Sequence, residues 1–126
     1  MLTFYRYKVK KNTAVTDDIF ILDLQAISKA NRLPAFKPGQ WVSVAILNED
    51  GTIWNRRPFS ICSSPKRKKK IQLAIKLHAD FTHRAQKLRK GDTIGLAGPF
   101  GHFVFEPRMH NTVMLAGGIG IAACLS

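Results

Sequence analysis

Apolar and polar residues alternate with a period of two through most of the chain. Tyr5, Tyr7 and Val9 alternate with Arg6, Lys8 and Lys10, which predicts a first strand with one apolar and one basic face. IFILDL at 19–24 and WVSVAIL at 41–47 predict a second and a third strand. Residues 52–61 predict a fourth, which holds Pro58. IQLAIKL at 71–77 and TIGLAG at 93–98 predict a fifth and a sixth. Turn residues punctuate them: PAFKPGQ at 34–40 and NEDG at 48–51. Helical spacing occurs in THRAQKLRK at 82–90, where Phe81, Ala85 and Leu88 fall on one side. Six short strands with closely spaced turns predict an all-β fold, a six-stranded antiparallel Greek-key barrel with one short helix. The style then changes. TVMLA at 112–116 has the continuous apolar pattern of a doubly buried strand and runs into GGIG. The expected division is a barrel over 1–107 and an orphan strand with a glycine turn over 108–126.

Composition changes this picture little, and charge changes it more. The chain has 126 residues, 45% hydrophobic and 22% charged, which is ordinary for one globular domain. The most apolar run, MLAGGIGIAACL, is shorter and richer in glycine than a membrane-spanning helix, so no transmembrane segment is expected. The first residues lack the apolar stretch of a secretion signal. Cys62 and Cys124 make no disulfide framework, which points to a reducing, cytoplasmic setting. Lys and Arg number 20 against 8 Asp and Glu, a net charge of +12. Such an excess favours anionic partners without choosing among them. KRKKK at 66–70 reads as a solvated hairpin tip.

Two stretches carry candidate chemistry. The first is the start of the helix. Thr82 is a natural N-cap, and the first turn then holds His83 and Arg84 with no acid, the wrong sign for the helix dipole. A bound anion would resolve this. The second is RPFS at 57–60. Strict alternation puts Arg57 and Phe59 on one face and Ser60 on the other. Pro58 removes a ladder donor, which suits a strand edge. A planar guanidinium fork, an aromatic face and a hydroxyl are what a flavin nucleotide requires: phosphate grip, stacking surface and polar edge contact. His78, His83, His102 and His110 show no metal-ligand spacing, so no metal is expected.

These motifs resemble those of the ferredoxin–NADP reductase superfamily. RPFSICSSP resembles its Arg-x-Tyr/Phe-Ser flavin signature, and FKPGQWVSV the segment before its third strand. LAIKLHADFTHRAQKLRKGDTIGLAGPFGHF resembles its pyrophosphate helix and Gly-Pro-x-Gly-x-Phe region, and LAGGIGIAACLS the turn that opens its pyridine-nucleotide domain. The resemblance implies that Arg57 holds the flavin phosphate, with Pro58 beside it. It implies that Phe59 lies against the isoalloxazine and that Ser60 sits near N5 in the catalytic position. Ile75 and Lys76 would border the ring or ribityl chain through their backbone, and Thr82, His83 and Arg84 would cap the pyrophosphate. Gly117, Gly118 and Gly120 would begin the nucleotide turn. FAD rather than FMN is the implied cofactor, NAD(P)H the implied electron source, and a metal centre or protein the implied acceptor. Three positions depart from the pattern: Phe59 for the commoner tyrosine, Asp80 for a frequent glycine and Ala123 for proline. Because the sequence stops at Ser126, it reads as a truncated gene product or an excised domain, without the rest of the nicotinamide domain that full turnover needs.

Two other function classes stay in view. A basic barrel can bind nucleic acid along KRKKK and the Arg6–Lys8–Lys10 face, but the pattern shows no exposed aromatic platforms for bases. A non-catalytic remnant can serve as an interaction domain. The apolar stretch 112–116 would then be the natural place for self-association.

Overall fold

The computed structural model describes residues 2–67, 69–102, 113, 115 and 117–125. Six strands form in chain order: β1 (Tyr5–Ala14), β2 (Ile19–Ala26), β3 (Trp41–Leu47), β4 (Ile53–Ser60), β5 (Lys70–Lys76) and β6 (Thr93–Phe100). A short helix, α1 (Asp80–Gln86), joins β5 to β6, and a second, α2 (Ile121–Leu125), follows the glycine turn. Each of the six expected strands is present: β3 has the expected ends, and the ends of the others move by at most four residues.

The strands make one antiparallel sheet in the order β4-β3-β6-β1-β2-β5. Its outer strands meet only where Ile61, just past β4, bridges Leu73 of β5. That bridge closes the barrel. Chain neighbours are not always sheet neighbours: β2 lies beside β5, and β6 lies between β1 and β3. This is the Greek-key arrangement expected.

The alternating apolar residues point inward, as the period requires. Tyr7, Val9, Phe20, Leu22, Leu24, Val42, Val44, Leu73, Ile75, Ile94 and Leu96 are all buried in one cluster. Each large aliphatic side chain buried there contributes about 1.5–3 kcal/mol. Lys8 and Lys10 face solvent. The Tyr7 hydroxyl accepts a hydrogen bond from the Leu33 amide at 3.0 Å, and burial raises its pKa above the ordinary tyrosine value.

The helix differs from the expected 82–90 at both ends, and it stops at Gln86. It begins at Asp80, two residues early, and the extended residue Ala79 is its N-cap. Thr82 is therefore the third helical residue. Its hydroxyl folds back to accept the amides of His78 and Ala79 at 2.8 and 3.2 Å. The first turn thus contains an acid, Asp80, of the sign that suits the dipole. At the other end Asn12 of β1 donates to the carbonyls of Gln86 and Leu88, both at 2.9 Å. These otherwise orphaned carbonyls fix α1 against the barrel wall. As expected, Phe81 and Ala85 are buried and Leu88 packs on the core.

Lys66, Arg67, Lys69 and Lys70 are exposed at the β4–β5 connection, as a solvated tip requires; Lys68 lies outside the described residues. The expected strand at 112–116 and the boundary at 107 also lie outside them, except that Val113 and Leu115 are exposed and in no strand. The glycine turn is described: Gly118–Gly120 is one 3-10 turn with Gly118 at φ +57°.

Candidate functional site

The bridge at Ile61 and Leu73 is also the point where β4 and β5 part. Continued antiparallel pairing from it would set Phe59 opposite Ile75, yet no pairing extends that far. The two strands instead diverge toward α1 and leave a seam bordered by two unpaired edges. Pro58 lies on this edge of β4, whose other edge pairs with β3, where Pro58 stands opposite Ser43. That explains a proline inside a strand: its missing N–H opens no gap in an interior ladder.

The seam is held by turn chemistry at its closed end. The Gln40 carbonyl accepts the Ile61 amide at 3.1 Å. The Gln40 side chain accepts the Lys37 amide at 2.8 Å and donates to the Gly101 carbonyl at 3.2 Å. Gly101 has φ +101°, and a Cβ there would lie 2.8 Å from the Trp41 ring. Trp41 in turn contacts Phe100 at a centroid distance of 4.7 Å. The KPGQ and GPFG stretches thus meet at one residue.

Three β4 side chains converge on Phe81 of α1, which is only 3% exposed. Phe59 stacks on it at 5.9 Å, Trp54 stacks at 6.1 Å, and the Arg57 guanidinium lies 5.9 Å from its centroid. The Arg84 guanidinium covers the Trp54 ring at 4.2 Å. Alternation alone puts Trp54 on the face opposite Phe59. It is brought round because the β3–β4 register shifts: Ile46 pairs with Asn55 and Leu47 with Ile53, which leaves Trp54 as an extra residue.

The remaining expected residues fall as follows. Arg57 is exposed and donates to Asn55 Oδ1 at 2.8 Å and to the Arg56 carbonyl at 2.7 Å. Ser60 is half-buried at the end of β4, and among the described residues its hydroxyl makes no hydrogen bond. The Ile75 side chain points into the core, so only its backbone borders the seam. Lys76 is exposed, 4.0 Å from Asp18 in the one ion pair among the described residues. The Thr82 hydroxyl and the His83 amide are both spent on the residues that lead into α1, the hydroxyl on His78 and Ala79 and the amide on the Ala79 carbonyl at 3.1 Å. The amides without helical partners therefore belong to Asp80, Phe81 and Thr82, the first three helical residues. His83 is exposed with Nδ1 3.0 Å from the Ala79 carbonyl. Gly118 and Gly120 lie in the 3-10 turn and Gly117 is its extended N-cap, away from the β4 residues in sequence, with the turn near β5.

Phe59 and the Arg57 guanidinium meet at Phe81, Arg84 lies over the neighbouring Trp54, and the half-buried Ser60 ends the same strand; neither guanidinium has a carboxylate partner among the described residues. This set fits a flat, polar ring system joined to phosphate. The family model of the FAD-binding domain matches residues 5–101. The chain belongs to this FAD-binding domain family, of the ferredoxin reductase type. The FAD-binding domain described here is 39% identical over 89 residues to sulfhydrogenase 2 subunit gamma of Pyrococcus furiosus, covering 69% of this chain and 29% of that one. It is 32% identical over 117 residues to the electron transfer subunit of dihydroorotate dehydrogenase B (NAD(+)) from Listeria monocytogenes, covering 90% and 44%. Among solved structures, phthalate dioxygenase reductase superposes with a TM-score of 0.83 at 25% identity, covering 97% of this chain and 37% of that one. The domain thus spans less than half the length of these relatives.

Proposed function

We propose that this FAD-binding domain serves an NAD(P)H-dependent oxidoreductase, carrying FAD in the seam between β4 and β5. A bound FAD supplies the exchange between hydride chemistry with NAD(P)H and single-electron transfer to a metal centre or protein acceptor. The names of the relatives support this reading, since they include an electron transfer subunit and a reductase that moves electrons from pyridine nucleotides to [2Fe-2S]. The observation that carries it is the convergence of Arg57 and Phe59 on Phe81 at the strand that ends in Ser60.

In this reading Phe59 backs the isoalloxazine and Arg57 grips phosphate with its fork. Ser60 presents its unspent hydroxyl toward N5, where it orients the reacting edge. Pro58 keeps the β4 edge free of a donor that would otherwise compete. Ile75 and Lys76 border the ring through the β5 backbone; the Ile75 amide and carbonyl are turned to Phe20 of β2, which leaves those of Lys76 facing the seam. The phosphate grip at α1 passes from Thr82 and His83, whose hydroxyl and amide are spent, to the Arg84 guanidinium. We further propose that residues 1–107 are the barrel unit and 108–126 the beginning of a nucleotide-binding unit, with Gly117, Gly118 and Gly120 facing the pyridine nucleotide. Val113 and Leu115, 82% and 95% exposed, are the proposed point of association with another surface. No helix among the described residues is long and apolar enough to cross a membrane. The cysteine usage supports a cytoplasmic setting.

Adding FAD to the folded apo-protein should quench flavin fluorescence saturably. A barrel that is folded by circular dichroism but leaves the fluorescence unchanged at excess protein would overturn the reading.

A further inference from the structure

We propose that Trp54 makes this barrel select FAD over FMN, by taking the adenine ring of the dinucleotide against its indole face. The inference rests on the flavin reading above. Trp54 lies outside the four-residue RPFS stretch, and the register shift in β4 is what turns it toward the seam. The residue is 36% exposed, with its indole stacked on Phe81 at 6.1 Å and 12°. Arg84 shows that the ring accepts flat partners, since a planar cation already lies 4.2 Å from its centroid.

The order along β4 matches the order of groups in the ligand. Phe59 supports one ring, Arg57 the phosphate, and Trp54 a second ring. Phe59 and Trp54 flank Arg57 along the strand, and both rings stack on Phe81, at 5.9 and 6.1 Å between centroids, so the two ring supports stand close together on either side of the guanidinium. FMN ends at its single phosphate and so stops at Arg57. FAD continues through a second phosphate and a ribose to adenine. On binding, the adenine takes the place on the indole that Arg84 holds, and the long Arg84 side chain turns to the adjoining pyrophosphate.

The measurement is isothermal titration of FAD and of FMN into the protein and its Trp54→Ala and Trp54→Phe variants. Trp54→Ala should weaken FAD about tenfold or more, the scale of one base–aromatic stack, and leave FMN unchanged. Trp54→Phe should recover most of the loss. AMP should displace FAD, but not FMN, from the unaltered protein, which tests the same contact without a variant. Equal losses for FAD and FMN would reduce Trp54 to a packing residue and overturn the proposal. So would an unchanged FAD affinity, or AMP that displaces neither flavin. In each of those cases flavin binding by the unaltered protein still stands, whereas a protein that binds neither flavin refutes the functional reading itself.

Discussion

Replacing Arg57 by alanine should remove ligand grip while leaving the fold intact. The guanidinium is exposed, and its two hydrogen bonds run to its own strand neighbours, Asn55 Oδ1 and the Arg56 carbonyl. Loss of such surface bonds changes folding stability by about 0.5 kcal/mol or less. A guanidinium on phosphate is different: a hydrogen bond to a charged group contributes about 1.5–3 kcal/mol, which raises Kd about 10- to 150-fold. Arg57→Lys should fall between, because it keeps the charge and loses the two-pronged geometry. Lys66→Ala is the control, an exposed cation in the solvated tip. Flavin fluorescence titration gives Kd for each variant, and thermal unfolding of the apo-protein gives stability. If Lys66→Ala weakens FAD as much as Arg57→Ala, diffuse charge holds the ligand and the assignment fails. An Arg57→Ala protein with unchanged Kd refutes it equally.

Phe81→Ala should destabilise the barrel by about 3–5 kcal/mol, because the ring is buried in the core and supports Trp54, Arg57 and Phe59. A urea transition that moves by less than 1 kcal/mol would show that α1 collapses to refill the space. The Cys62 thiol donates to the Gln72 carbonyl at 3.2 Å, and burial pushes its pKa up. Less thiolate forms at a given pH, so alkylation of Cys62, followed by peptide mapping, should be slow in the folded protein at mildly alkaline pH and fast in denaturant; equal rates would contradict the burial. Deleting residues 108–126 should leave a folded, flavin-binding barrel, since all six strands precede residue 101, and should reduce self-association by light scattering. Unchanged association would exonerate Val113 and Leu115.

The barrel was legible because its inward residues keep a period of two that little disturbs. Tyr7, Val9, Phe20, Leu22 and Leu24 are where the alternation puts them. Two features escaped, each for a local reason. The start of α1 was misplaced because Thr82 resembles an N-cap, yet at the third helical position the same hydroxyl reaches the same kind of backbone donor from inside the helix. Trp54 was missed because one unpaired residue in β4 reverses the facing of everything before it, and nothing in IWNRRPFS marks the shift. The mismatch between strands 41–47 and 53–60 around the NEDG turn is the signal that could have flagged it.

The seam has a consequence for selectivity among macromolecules. A slot between two unpaired strand edges is shaped for a third strand, and an extended segment of any neighbouring chain could zip into it. Pro58 withholds a donor from the middle of one edge, while exposed Arg56, Arg57 and Lys76 crowd like charge around the slot. A peptide entering there would find a broken ladder in a cationic mouth. A small anion with a flat ring needs no ladder and is drawn by that charge. The residues that welcome the nucleotide thereby keep the barrel from recruiting its neighbours as a missing strand.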